Sequence, residues 1–85
     1  MIEVYYAVYK RNENLYSGED ISQAINIVKE TRGEVQFRVY TKDKMGVSID
    51  TQNFKNGKFK GNKHRIITEG ELEIFVALFS QRDGE

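Results

Sequence analysis

A chain of 85 residues suits one compact domain, and a domain of that size buries only about two-thirds of its unfolded surface, which leaves little scope for a large enclosed active site. Lys and Arg total 13 against 13 Asp and Glu, so no net field draws the molecule onto nucleic acid or an anionic membrane, and electrostatic binding must come from local asymmetry. Cysteine is absent, which excludes disulfides, thiolate catalysis and cysteine metal sites, while 39% hydrophobic and 31% charged residues is the composition of an ordinary soluble domain.

From Ile2 to Lys10 the chain is rich in β-branched and aromatic residues, with Ile2, Val4, Tyr6 and Val8 on one face and Glu3, Tyr5, Ala7 and Tyr9 on the other, the pattern of a strand. Arg11-Asn12-Glu13-Asn14 reads as a turn and Leu15-Tyr16-Ser17 as a short antiparallel return. Ser17-Gly18-Glu19-Asp20 offers a serine cap with an acid three residues on, and an aspartate able to cap the next segment, so a helix begins here. Ile21, Ala24, Ile25 and Val28 form its buried stripe, and Gly33 is placed to end it in a left-handed cap.

Val35, Phe37, Val39 and Thr41 then alternate with Gln36, Arg38, Tyr40 and Lys42 as in a half-buried strand. Asp43-Lys44-Met45-Gly46 turns the chain and Val47-Ser48-Ile49 starts another strand. Asn56-Gly57 is the preferred pair for a two-residue type I′ turn, because both positions must accept positive φ. That register sets Lys55 opposite Lys58 and Phe54 opposite Phe59 on the other face, with Gly61-Asn62 making the outgoing arm irregular. Thr68-Glu69-Gly70-Glu71 repeats the capping-box pattern ahead of Leu72, Phe75, Val76 and Phe79 at helical spacing. The run from Leu72 to Phe79 also fits a buried strand, and the cap with its straight-chain residues favours helix. Ser80 to Glu85 is expected to fray. Together these elements predict a single α+β domain of two layers, an antiparallel sheet of about four to five strands with two helices packed on one face.

The start of the chain lacks the basic residues and unbroken apolar core of a secretory signal, and its longest apolar run, Ile74 to Phe79, falls far short of the roughly 20 residues that span a bilayer. A cytoplasmic protein with no membrane partner is the expectation.

Little in the sequence points to catalysis. His64 is the one histidine and lies among lysines, and without cysteine it cannot complete the usual nucleophile-base or zinc sets. Glu19 with Asp20, and Glu69 with Glu71 and Glu73, sit where helix caps and the helix dipole account for them, and Asp43 and Asp50 fall in expected turns. No glycine-rich phosphate loop occurs in a strand-to-helix context. The chain is therefore expected to be no enzyme and to need no cofactor and no metal.

Binding has better candidates. Tyr5 and Tyr9, beside Tyr16 and Tyr40, offer amphipathic rings for a protein or small-ligand partner, or for self-association into a homo-oligomer, although rings packing across neighbouring strands would explain them as well. The second candidate lies within residues 52–65, where Lys55, Lys58, Lys60, Lys63, His64 and Arg65 fall in a stretch without an acid. Basic residues interleaved with Phe54 and Phe59 have the ingredients of an anion or nucleic-acid site, whereas lysines on an exposed strand also guard against aggregation.

Tyr6-Ala7-Val8-Tyr9-Lys10, a polar turn, and then Ser17-Gly18-Glu19-Asp20-Ile21 resembles the opening of many small uncharacterised proteins carried by phages and prophages of low-GC bacteria. The resemblance covers the first quarter of the chain. Those proteins often continue into a second helix of a DNA-binding-like unit, whereas this chain passes Gly33 into Val35-Gln36-Phe37-Arg38-Val39. The resemblance implies an accessory factor that works stoichiometrically, by inhibiting or modulating a host protein or sequestering its ligand. It carries over no functional residue.

Overall fold

Tyr5, Ala7 and Tyr9 alternate with Val4, Tyr6 and Val8, so the first strand is apolar on both faces and is most stable inside a sheet. The computed structural model, which describes residues 2–74 and 77, places it there. The elements are β1 (Glu3–Lys10), β2 (Glu13–Gly18), α1 (Ile21–Glu30), β3 (Val35–Asp43), β4 (Gly46–Lys55) and β5 (Lys58–Ile67). Residues 69–74 and 77 are helical as well. The strands form one five-stranded antiparallel sheet in the order β2-β1-β3-β4-β5, and α1 carries the chain from edge strand β2 across β1 to β3. The fold is α+β.

Asp20 caps α1, its carboxylate accepting from the backbone N–H of Ser22 at 2.9 Å and of Gln23 at 3.2 Å. Of the two caps offered by the sequence, Asp20 is the one used, while the Ser17 hydroxyl donates to Asn14 Oδ1 at 3.1 Å. Ala24 and Val28 are buried and Ile25 half-buried, whereas Ile21, expected in the buried stripe, remains 50% exposed. The helix seats these residues on Val8, Val35 and Phe37, flanked by Tyr6, Val39 and Phe54.

Two expectations are corrected. The helices do not share one face. Leu72, 5% exposed, joins Ala7, Tyr40, Val47, Ile49 and Ile67, all of which the strand register sets on the face away from α1. A strand apolar on both sides needs cover on both sides, and so the sheet lies between its helices instead of forming the base of a two-layer domain. Thr68 starts this second segment, its hydroxyl accepting from Glu71 N–H at 3.1 Å. The helix expected over residues 72–79 is thereby observed for 72–74 and 77. Residues 75, 76, 78 and 79, and the fraying expected from 80 to 85, lie outside the described residues.

The second correction concerns β4. The strand expected to start at Val47 and the incoming arm of the Asn56-Gly57 hairpin are one element of 10 residues. Asp50 accordingly lies in mid-strand opposite His64 rather than in a turn, whereas Asp43 does cap its turn by accepting from Met45 N–H at 2.8 Å. Among the described residues no helix is long and apolar enough to cross a membrane.

Candidate functional site

The hairpin joining β4 to β5 turns at Asn56 (φ 54°) and Gly57 (φ 80°), the two positive values that a type I′ turn demands. Lys55 faces Lys58 and Phe54 faces Phe59, as the sequence predicts. The Phe54 and Phe59 rings meet edge to face with centroids 5.0 Å apart, and Phe59 lies 5.8 Å from Phe37. This aromatic chain ties the hairpin to the core on the α1 side. The lysines point the other way.

Beyond the turn, the facing of β5 depends on one extra residue. Asn53 pairs with Lys60 and Thr51 with Lys63, so two steps along β4 match three along β5, and Gly61 absorbs the excess with φ +67°. In an unbroken strand Lys58 and Lys60 would share a face from which Lys63 and Arg65 were excluded. The bulge shifts the alternation by one residue and returns Lys63 and Arg65 to the lysine face. His64 falls on the opposite face, where its Nδ1 lies 2.8 Å from Asp50 Oδ1. Of the basic residues singled out in the sequence, Lys55, Lys58, Lys60, Lys63 and Arg65 are thus brought together and His64 is not.

The register extends this face inward. Thr51 and Asn53 on β4 lie beside Arg38 and Gln36 on β3, which in turn lie beside Ala7 and Tyr9 on β1. Arg38 was not among the sequence candidates, since only the pairing of three strands shows that it shares a face with the hairpin lysines. Its guanidinium lies over the Tyr9 ring, 4.4 Å from the centroid, while Nε donates to Gln36 Oε1 at 2.6 Å and an Nη donates to the Tyr40 hydroxyl at 3.4 Å. Gln36 and the Tyr40 hydroxyl hold this planar cation over the Tyr9 ring. At the near end of β5 the helix supplies acids, with Glu71 3.6 Å from Arg65 and Glu69 4.0 Å from Lys42. Both are exposed pairs of small energetic worth. Beyond them, from Arg38 to the hairpin tip, the lysine face of β3, β4 and β5 carries no acidic side chain.

This face runs into an open cleft of about 480 Å³ beside the β1–β2 turn, lined among others by Lys10, Arg11, Gln36, Arg38 and Asn53, with Glu34 as its acid. The turn is again of the type I′ kind, at Arg11 (φ 50°) and Asn12 (φ 68°), although neither residue is glycine. Gly33, expected to cap α1, does not end it: the helix stops at Glu30 with Thr31 as an extended cap, and Gly33, at φ +90°, lies two residues on against the Lys10 side chain, whose Cε is 3.7 Å from where a β-carbon would stand.

The tyrosines are divided. Tyr5, Tyr9 and Tyr40 share the face that Leu72 covers, Tyr40 being only 6% exposed, while Tyr16 lies on the α1 side with its hydroxyl accepting from Asp20 N–H at 3.1 Å. Tyr5 donates to Glu3 Oε1 at 3.0 Å, and burial, helped by that bond and the Glu3 charge, pushes its phenol above the ordinary value. Among the described residues no group of three or more His, Asp or Glu side chains is placed to hold a metal ion. Comparison with protein-family models, with curated proteins and with solved structures gives no match to this chain.

Proposed function

We propose that this chain is a small binding protein, not a catalyst, and that it engages an anionic partner through the lysine face of β4 and β5. The supporting observation is charge segregation: a chain with no net charge gathers Lys55, Lys58, Lys60 and Lys63 on one sheet face, where β3, β4 and β5 carry no acid from Arg38 to the hairpin tip. A device as specific as the Gly61 bulge is needed to keep Lys63 on that face. The tyrosine surface is the weaker candidate, because Tyr40 is buried, Tyr9 lies under the Arg38 guanidinium and Tyr16 is on the other side of the sheet.

Such a protein acts by occupancy, as the resemblance to phage and prophage accessory factors implies, and a cytoplasmic site of action belongs to the same proposal. A second reading rests on a separate feature. β5 is an edge strand of 10 residues, and an acidic segment of a host protein adding to that edge would be held by backbone pairing as well as charge. Inhibition of a protein partner would then follow from strand addition.

The test is retention on immobilised heparin at low salt. The wild-type protein is expected to bind and to elute as salt rises, and Lys58→Glu with Lys63→Glu to flow through with a melting temperature no lower than that of the wild type. A wild-type protein that fails to bind removes the basic face from the mechanism.

A further inference from the structure

We infer that the partner of this face is a single-stranded nucleic acid, which crosses the strands from β5 to β3 and places one base in the cleft beside the β1–β2 turn. The inference rests on the anionic-partner reading above and narrows it.

The first ground is the arrangement of charge. Lys58, Lys60 and Lys63 form the outer margin of the face, and Arg38 lies two strands further in. With strands about 4.8 Å apart, that track is roughly 10 Å across before it enters the cleft. Phosphates following it meet cations at the margin and again at Lys10 and Arg11. The cations lie on a broad sheet face, where a flexible strand can settle, and not along a projecting helix that would enter a duplex groove.

The second ground is the chemistry of the cleft. Bases extruded from a strand are recognised by stacking on aromatic rings or guanidinium planes and by hydrogen bonds to their edges. Arg38 provides a guanidinium held over the Tyr9 ring by its bond to Gln36, and Gln36, Asn12 and Asn53 provide amides able to donate and accept. A plain polyanion has no use for these groups. The cleft, at about 480 Å³, is within the range that encloses a small organic ligand, and it admits a single nucleotide but no duplex.

The third ground is the turn itself. Arg11 adopts φ 50°, a region that residues other than glycine and asparagine enter only at a cost, and it lines the cleft. A glycine there would satisfy the turn better and would remove a cation from the path of the strand.

Fluorescence anisotropy with a labelled mixed-sequence DNA single strand, its duplex, and an abasic strand of the same length decides the matter, with heparin as the plain polyanion. The single strand is expected to bind at least about tenfold more tightly than either the duplex or the abasic strand, since base stacking on the cleft is available to it alone. Arg38→Lys keeps the charge and loses the plane, so it should erase most of that preference while leaving heparin binding in place. Arg11→Gly should weaken strand binding without lowering the melting temperature, which separates the contribution of this cation from any damage to the fold. Equal affinity for the abasic and intact strands, with heparin still bound, overturns the inference and leaves the broader reading standing. Failure to bind heparin and all the oligonucleotides overturns both.

Discussion

Arg11 and Asn56 hold the same position in two similar turns, φ 50° and φ 54°, yet one is a residue suited to the left-handed region and the other is not. Gly57, at φ 80°, has no neighbour within 4 Å of an added β-carbon, so the cost of Gly57→Ala comes from backbone conformation alone. That substitution should lower stability by about 1 kcal/mol, measured by urea denaturation. Tyr5 makes a different prediction. Its phenol is raised above the ordinary value, so the folded state holds that proton more tightly than the unfolded chain does. The associated stability is fully present below the unfolded value of about 10 and is lost as pH rises from there through the folded value. Tyr5→Phe should therefore flatten the fall of melting temperature above pH ~10. At this scale the sequence is readable wherever a side chain acts on its own backbone, as with Asp20 and Asn56-Gly57. Arg38 and His64 were not readable, because their roles depend on which face a register assigns them.

Between elements, the facing lysines of the hairpin set stability against binding. Lys55→Glu replaces a like-charge pair opposite Lys58 with an opposite-charge pair, and it should stabilise the fold by about 0.2–1 kcal/mol while weakening retention on heparin. A fall in both quantities would show that Lys55 has a structural role. Leu72 governs the other helical segment. Leu72→Ala should cost about 2–5 kcal/mol, read from the denaturation midpoint, because it opens a gap against Ala7, Tyr40 and Ile67. The helical nature of this segment was legible from Thr68 and the spacing of its apolar residues, but its side of the sheet was not. The informative signal lay elsewhere, in the apolar character of both faces of β1, which marks a strand buried from two sides. The length of β4 was hidden for a related reason, since Asp50-Thr51-Gln52-Asn53 looks like a loop until Thr51 and Asn53 are seen opposite Lys63 and Lys60.

For the molecule as a whole, net neutrality conceals a strong local asymmetry, and composition alone understates the field of the lysine face. The salt dependence of binding reports it. If each hairpin lysine meets a phosphate, Lys60→Gln should reduce the slope of log K against log salt for a single strand by about 0.7. An unchanged slope would place Lys60 outside the contact. The two apolar clusters carry a further consequence. One is built from β1, β2, α1 and β3 with Phe54 at its margin, and the other depends on β4, β5 and Leu72 against the far face of β1 and β3. Each half of the molecule thus has its own interior, with β1 and β3 as the common wall. Amide hydrogen exchange should resolve this as two levels of protection, slowest at Val8 and Phe37 and fastest along β5, so that the outer hairpin opens and closes while the inner unit remains folded.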